Sequence, residues 1–440
     1  MFRRRFVMRN PSLLRALARS FLAGEPTAEQ IAARASRTLG RQWRWLRPLA
    51  QRYLNSVAGR TRPRHRDVVQ FLLTDRGLGR AWSRYIDELS VSQWVNEPQE
   101  MQPVSAAGTW DVPRIESIGA LCDWLWLDPG QLDWFADLKG LGNKKNRPRL
   151  RHYHYRILSK RDGNVRLIEA PKPRLKKLQR QILSGILDHI PPHPAAHGFL
   201  KGRSIRTFTA PHVGQRVVLR MDLSNFFPTF SAARIQTLFR TVAYPESVAD
   251  LLGGVCTSAA PRDMWTGLTH DARSLYSGPH LPQGAPTSPA LANLCSYRVD
   301  CRLAGLAESV GARYTRYADD LAFSGGEEFD KRVERFSTHV AAILLEEGFA
   351  VNHRKTRIMR RGVRQHLAGI VVNEHMNVRR RDFDLLKATL ANCVRLGPES
   401  QNRRGHAGFR AHLEGRLGFV ESINPAKGKR LRAVFERIQW

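Results

Sequence analysis

Three aspartates in this sequence have the types and spacing that catalysis of a phosphoryl transfer would need. Asp222 ends an apolar run that begins at Val217, and Asp319 and Asp320 stand side by side farther along the chain. Adjacent carboxylates repel each other, and a bound cation offsets that repulsion. Carboxylate oxygens suit Mg²⁺, and two such ions about 3.5–4 Å apart stabilise the attacking and leaving oxygens of the transfer. We therefore expect the aspartates to hold two Mg²⁺ ions; the alternative is that Asp319 and Asp320 form only a solvated turn.

The elements that must position these aspartates predict an α+β fold. Residues 217–221 have the apolar, β-branched character of a strand, and residues 314–323 predict a β-hairpin with both adjacent acids at its tip. Short β-like runs at 155–158 and 165–168 precede a basic helix over 174–190. Strands that alternate with helices in this way are typical of the α+β class.

The two ends of the chain predict helices with basic faces. Thr27 with Gln30 three residues later predicts a capped helix near the N-terminus. The first 66 residues fit either a helix-turn-helix or a helical bundle with a solvated arginine face. A stretch with Pro and Gly at 96–113 predicts a linker, a further helix is expected over 115–137, and the last 60 residues predict helices.

The charge balance points to nucleic acid as a partner. Lys and Arg number 71 against 39 acidic residues, a net charge of +32, and such an excess repels itself unless a polyanion or counterions neutralise it. A ribosome-like structural role or a membrane surface would also accept this charge, but the excess is spread along the whole chain. No apolar run is long enough to span a membrane. The five cysteines fit no zinc framework, and reduced thiols predict a cytoplasmic protein.

The sequence around the aspartates resembles that of reverse transcriptases. Residues 317–320, Tyr-Ala-Asp-Asp, are similar to the signature tetrad of that family, and residues 281–289 resemble its nucleotide-site loop. Asp222 followed by Phe-Phe-Pro at 226–228 resembles its first catalytic motif. The three motifs occur in the family's order and approximate spacing. Segments 196–199 and 202–205 make the chain most similar to bacterial retron reverse transcriptases, and the likeness covers roughly residues 115–440.

Two positions depart from the retron pattern. The retron motif Asn-Ala-x-x-His keeps only its histidine here, as His212, because Phe208 and Thr209 replace its first two residues. The retron motif Val-Thr-Gly keeps only Gly369, after Leu367 and Ala368. Both motifs are associated in the family with the handling of the retron RNA, so the departures bear on the RNA partner and not on the chemistry.

The resemblance implies a role for several residues. Asp222, Asp319 and Asp320 would be the catalytic metal ligands, and Lys355 a proton donor to the leaving pyrophosphate. The incoming dNTP would be bound by Lys160, Arg166, Phe227 and Gln283, with Phe227 as the gate against a ribose 2′-hydroxyl. The RNA would be contacted by His212, Lys201 and Arg203. Alternatives are a loop-capping amide for Gln283, core packing for Phe227, solvated charges for Lys160 and Arg166, and a structural role for His212.

The resemblance also implies a right-hand polymerase with fingers, palm and thumb. The predicted divisions are a basic, mainly helical N-terminal extension at 1–110, a helical lead-in and fingers at 111–215, a palm with the catalytic motifs at 216–375, and a helical thumb at 376–440.

The predicted function is that of an RNA-directed DNA polymerase that copies a cognate structured non-coding RNA into branched RNA–DNA (msDNA). Priming from a guanosine 2′-hydroxyl, a role in antiphage defence and a separate effector protein follow from the retron likeness. The alternatives are an intron-encoded or abortive-infection reverse transcriptase, an RNA-binding scaffold that does not polymerise, and a DNA-binding regulator acting through residues 1–66.

Overall fold

The computed structural model describes residues 10–58, 63–101, 103–144, 148–159, 165–265 and 270–440. The chain forms two compact units, each built from two stretches of sequence: residues 1–191 with 230–291, and residues 192–229 with 292–440. Helices and strands alternate within the described ranges, which confirms the predicted α+β class.

The helices and strands are labelled in chain order. The helices are α1 (Pro11–Leu22), α2 (Ala28–Thr38), α3 (Leu46–Val57), α4 (His65–Thr74), α5 (Arg76–Tyr85), α6 (Ile118–Leu125), α7 (Pro129–Ala136), α8 (Leu141–Lys144), α9 (Pro173–Gly185), α10 (Ile205–Thr209), α11 (Ala232–Thr241), α12 (Glu246–Cys256), α13 (His270–Ser277), α14 (Ser288–Cys295), α15 (Tyr297–Glu308), α16 (Glu327–Glu346), α17 (Arg380–Leu396), α18 (Phe409–Ile423) and α19 (Pro425–Phe435). The strands are β1 (Tyr153–Ser159), β2 (Val165–Pro171), β3 (Val217–Ser224), β4 (Arg313–Tyr317), β5 (Asp320–Gly325), β6 (Ala350–Val351), β7 (Arg357–Arg360), β8 (His366–Leu367) and β9 (Ile370–Val371).

Helices α1 to α5 pack around one apolar core in the first unit, which confirms the predicted helical N-terminal region. Apolar side chains at helical spacing, such as Leu13 and Leu17 of α1, are fully buried in this core. The oxygen of Thr27 accepts a hydrogen bond from the backbone N–H of Gln30 at 3.2 Å, which confirms the predicted cap of α2. Asp75 caps α5 by accepting from the N–H of Leu78 at 2.7 Å. These caps satisfy N–H groups that a helix leaves free at its first turn.

The helix predicted over 115–137 is two helices. Helix α6 ends where Trp126 adopts a left-handed backbone conformation, with a φ of 57°. Asp128 then caps α7, and Pro129 occupies its first position. Proline lacks an N–H group and is best tolerated at the start of a helix, so the sequence Asp-Pro begins a new helix.

The second unit is built on a sheet whose central strand is β3. The strand order is β4-β5-β3-β6, and β7 also pairs with β3. Val217, Val218 and Leu219 are fully buried, as expected of a central strand. Side chains from α17, α18 and α19 form one apolar core with Val218 and Ala322 of the sheet. The hairpin predicted over 314–323 is confirmed as β4 and β5, in which Tyr317 pairs with Asp320 across a two-residue turn.

No helix within the described ranges is both long and apolar enough to cross a lipid bilayer.

His212 joins the two strands of the β4–β5 hairpin. Its ring is fully buried, with Nδ1 2.6 Å from the Ser324 hydroxyl and Nε2 2.7 Å from the Thr315 hydroxyl. The Thr315 hydroxyl donates to the carbonyl oxygen of Phe208 at 3.0 Å, so it accepts from His212 Nε2–H, and Ser324 donates to Nδ1. A neutral ring satisfies both nitrogens. Burial lowers the pKa of His212 to about 3, with smaller contributions from Arg313 and His197.

We expect this histidine to make the fold acid-sensitive. Below the ordinary histidine pKa of about 6.5 the unfolded chain binds a proton that the folded chain refuses, so stability is lost as the pH falls toward the folded pKa. The loss at pH 5 should be about 2 kcal/mol relative to pH 7.5. Urea unfolding at both pH values should show this extra loss in the wild type and not in His212→Gln, whose side chain forms hydrogen bonds but does not titrate. If the free energy of unfolding changed with pH in the same way in the wild type and in His212→Gln, the expected role of this histidine would be contradicted.

Candidate active site

The three predicted catalytic aspartates lie together at one end of the β3–β5 pair. Asp222 of β3 stands directly opposite Asp320, the first residue of β5. Asp319 occupies the turn between β4 and β5, and its carbonyl oxygen accepts a hydrogen bond of 2.9 Å from the N–H of Leu223. The antiparallel register and this turn bring residues from 222 and from 319–320 to the same place.

The setting of two carboxylates in this cluster disfavours their negative charge. Burial, together with the neighbouring carboxylates Asp222 and Asp320, raises the pKa of Asp319 to about 6. The pKa of Asp320 is also raised, mainly by burial, although the guanidinium of Arg220 opposes that shift. Two of the carboxylates are therefore held in a setting that favours their neutral form unless a cation is added.

Two side-chain cations already contact the cluster. The Lys355 ammonium lies 2.9 Å and 3.2 Å from the two carboxylate oxygens of Asp222. Arg220 donates two hydrogen bonds, of 2.6 Å and 2.9 Å, to one oxygen of Asp320. Lys355 was predicted here, whereas Arg220 was not. The signal for Arg220 was the strand period, since residues two apart on a strand share a face.

The donor set fits divalent cations. Three carboxylates supply the hard oxygen ligands that Mg²⁺ prefers, and the raised pKa values of Asp319 and Asp320 show that a nearby cation would favour their charged forms. In the described part of the chain, however, no three Asp, Glu, His or Cys side chains are already arranged around a common metal position. Ions that bind here would share or replace the contacts that Asp222 and Asp320 make with Lys355 and Arg220.

The segment that contains Gly198 packs closely against the turn that carries Asp319. Ala318 has a φ of 54°, an unusual value for a residue with a side chain. A Cβ at Gly198 would lie 2.8 Å from the backbone nitrogen of Ala318, so only glycine permits this approach. The amide of Asn293 donates to the carbonyl oxygen of Gly198 at 2.8 Å.

A buried ion pair fixes this support. Arg316 and Asp300 are 1% and 0% exposed, and Arg316 donates to both carboxylate oxygens of Asp300 at 2.8 Å and 2.6 Å. The same guanidinium donates to Asn293 at 3.0 Å and to the carbonyl oxygen of Ala318 at 3.3 Å. We name this set, Arg316, Asp300 and Asn293, the turn brace. The sequence offered no signal for it, because its members are paired only in the folded chain.

Phe226 and Phe227 occupy different settings. The Phe226 ring is buried and stacked on Phe349, with ring centres 6.1 Å apart. Phe227 is partly exposed and meets Phe199 at 6.3 Å. Phe227 is thus the member of the pair with a ring face available to a ligand.

The predicted nucleotide loop is pinned to β2 within the first unit. The carbonyl oxygen of Gln283 accepts from the N–H of Glu169 at 2.9 Å. A Cβ at Gly284 would lie 2.9 Å from the backbone oxygen of Glu169, and the φ of Gly284 is 133°, so glycine is required. The carboxylate of Glu169 pairs with His280 at 2.8 Å, and both side chains are buried. Arg166, on β2, is exposed, and Lys160 lies outside the described residues.

The three predicted RNA contacts are placed differently. Lys201 and Arg203 are exposed, and Arg203 donates to the carbonyl oxygen of Pro194 at 2.7 Å. The prediction for His212 requires correction, because its ring is fully buried between Ser324 and Thr315 and offers no surface to RNA.

Comparison with known proteins gives consistent results. The model of the family described as reverse transcriptase (RNA-dependent DNA polymerase) matches residues 158–385. The retron Mx65 reverse transcriptase of Myxococcus xanthus is 44% identical over 65% of this chain and 64% of its own length. The retron Mx162 enzyme of the same organism is 36% identical over 74% of this chain and 68% of its own. The retron Ec86 enzyme of Escherichia coli is 29% identical over 63% of this chain and 78% of its own. The match therefore spans less than two thirds of the Mx65 relative.

The two members of the brace's ion pair should contribute to the free energy of unfolding non-additively. We expect Arg316→Met to lower the free energy of unfolding by about 3–5 kcal/mol, because it leaves Asp300 charged, buried and unpaired. Asp300→Leu combined with Arg316→Met should cost less than the sum of the single substitutions, although Tyr314, whose hydroxyl donates to Asp300 at 2.8 Å, then loses its acceptor. Urea unfolding of the four proteins in a double-mutant cycle measures this coupling. Additive losses would show that the two side chains do not stabilise each other.

Proposed function

We propose, from the premise that the chain belongs to the reverse transcriptase family, that it polymerises DNA on an RNA template. The family model covers residues 158–385, just over half of the chain, and the Mx162 relative shares 36% identity. The observation that carries the proposal is the register of β3 and β5, which sets Asp222 opposite Asp320 with Asp319 beside them.

Enzymes of this family generally use divalent metal ions, and we propose that Asp222, Asp319 and Asp320 hold two Mg²⁺ ions. Bound ions of this kind would lower the pKa of a primer hydroxyl and hold the triphosphate. Lys355 already reaches Asp222 with its ammonium group, so it stands where it could give a proton to the leaving pyrophosphate. Fixed cations stabilise the negative charge that develops on a phosphoryl group during transfer. We therefore propose that Lys160 and Arg166 bind the triphosphate.

The proposed choice of a deoxyribose sugar rests on Phe227. Its ring is partly exposed and lies five residues after Asp222, whereas the adjacent Phe226 is stacked inside the fold. A ring in that place would crowd a ribose 2′-hydroxyl and leave a deoxyribose untouched. Gln283, held by the loop that is pinned to β2, would contact the incoming nucleotide.

We propose further that the template is a structured non-coding RNA encoded near the gene. The named relatives are retron reverse transcriptases, which supports a branched RNA–DNA product primed from a guanosine 2′-hydroxyl. An antiphage role with a separate effector protein follows from the same likeness.

The deciding experiment expresses the gene with its native flanking DNA and analyses the nucleic acid that co-purifies. The wild type should carry short single-stranded DNA joined to RNA, and Asp319→Asn/Asp320→Asn should carry RNA only. On a supplied primer and RNA template the same variant should incorporate dNTPs at least about 1,000-fold more slowly, since it loses several kcal/mol of metal-dependent stabilisation.

Asp384→Asn is the matched control, because it removes an exposed carboxylate of the same unit; it should retain both activities. DNA extension without a co-purifying branched product would leave a reverse transcriptase of another kind. No extension by the wild type would refute polymerisation and favour an RNA-holding scaffold.

Substitution at Phe227 should relax the choice of sugar. We expect Phe227→Ala to shift the ratio of dNTP to rNTP incorporation efficiency by about 10- to 100-fold toward rNTP, because the crowding of the 2′-hydroxyl is removed. Steady-state incorporation of matched dNTP and rNTP pairs measures the ratio. Phe199→Ala, which removes a neighbouring exposed ring, should leave the ratio unchanged. Equal ratios in the wild type and Phe227→Ala would assign that ring to packing.

A further inference from the structure

The outer face of α5 carries a row of exposed arginines. Arg76, Arg80 and Arg84 are exposed and four residues apart, so they lie on one side of the helix. The opposite side carries Leu78, Ala81 and Trp82, which are buried in the core. The three guanidiniums therefore form a straight row on a helix whose orientation is fixed by packing.

The row is not neutralised by the protein. Three other arginines of the N-terminal region are paired with acids: Arg37 with Glu97, Arg41 with Glu88 and Arg47 with Glu29. Among the described residues, no carboxylate forms an ion pair with the three arginines of α5.

The two acids that flank the row in the sequence do not neutralise it. The Asp75 side chain is only 6% exposed and is held by Arg52 at 2.7 Å. Asp87, three residues after Arg84, lies beyond ion-pair distance of that guanidinium. The positive charge of the row is therefore open to a partner from outside.

Small residues lie beside the arginines. Gly79 and Ser83 lie along one side of the row on the same helix face, since each is three or four residues from at least one of the three arginines. A Cβ at Gly79 would meet nothing within 4 Å, so no packing inside the protein requires a glycine there. Glycine in an exposed helix lowers helix stability, and what it provides is a surface that a polymer backbone can approach closely.

The C-terminal end of the row is held in place by aromatic rings. The guanidinium carbon of Arg84 lies 5.4 Å from the ring centre of Tyr85. Tyr85 in turn packs on the buried Trp43, with ring centres 4.7 Å apart. Stacking on a ring leaves the N–H donors of an arginine free for an acceptor.

We propose that this face, Arg76–Gly79–Arg80–Ser83–Arg84, binds the sugar–phosphate backbone of RNA at a site separate from the catalytic aspartates. Residues four apart on a helix lie about 6 Å apart along its axis, comparable to the interval between successive phosphates of one strand. Arginine suits phosphate because its planar donors bind two oxygens at once. The contacts are to the backbone, so the face anchors RNA without reading its sequence.

The test measures binding of a short unstructured single-stranded RNA to the full chain, without dNTPs, as a function of salt. Arg76→Gln/Arg80→Gln/Arg84→Gln should lower affinity about 10-fold or more and reduce the slope of log K against log salt by about 2, since three phosphate contacts are lost. The control Arg37→Gln/Arg41→Gln/Arg47→Gln removes the same charge from arginines that are already paired, and it should leave the slope nearly unchanged.

A second variant tests whether binding depends on the shape of this face as well as on its charge. Gly79→Leu has room for its Cβ and should raise the melting temperature, because leucine favours helix. Its side chain would stand beside the arginine row on the same helix face, so RNA binding should weaken although the charge is unchanged.

Three outcomes would overturn the proposal: equal effects of the two triple variants, unchanged binding by Gly79→Leu, or a loss confined to a DNA duplex of the same length. The last outcome would indicate a DNA-binding region. Because no polymerisation takes place in this assay, its failure would leave the proposed polymerase function standing.

Discussion

The site depends on holding three carboxylates together in a place where burial and mutual repulsion both oppose their charge. No local sequence preference does this. The antiparallel register of β3 and β5 forces Asp222 against Asp320, and the two-residue turn forces Asp319 beside them. The raised pKa of Asp319 records the cost of that arrangement. Lys355 and Arg220 offset part of the cost from within the chain.

A turn under such repulsion needs rigid support, and the chain supplies it with polar groups in the interior. The turn brace places a fully buried guanidinium against Asp300, Asn293 and the carbonyl oxygen of Ala318. A buried ion pair is a weak source of net stability, so its advantage here is geometric. Hydrogen bonds have fixed directions, whereas apolar side chains of the same volume would let the turn shift. Gly198 completes the support, because only a residue without a side chain lets its segment reach Ala318.

Local sequence signals predicted the helices and strands. The contacts that pair distant elements could not be predicted from the sequence. The hairpin and the capped helix α2 were predictable because strand alternation and capping act over a few residues. Arg220 and the turn brace were missed because their partners lie elsewhere in the chain: Arg220 and Asp320 are 100 residues apart. The single helix predicted over 115–137 was wrong, because the sequence Asp-Pro begins a second helix there. For His212 the sequence left an RNA contact and a structural role open, and the structure favours the structural role, because two hydroxyl groups bind its ring in the interior.

The two departures from the retron motifs lie in the interior. Phe208 is fully buried and packs in the same core as Val218 and Leu386, and Leu367 is fully buried in that core as well. Side chains in such positions meet no RNA, so replacing them changes how the sheet centred on β3 packs against α17, α18 and α19. RNA handling can respond to these positions only through the backbone that they support. The arginine face of α5 has the opposite character: its side chains contribute nothing to the core, and its glycine weakens the helix. A surface that the fold does not need, and that costs stability, is best explained by something outside the chain that uses it.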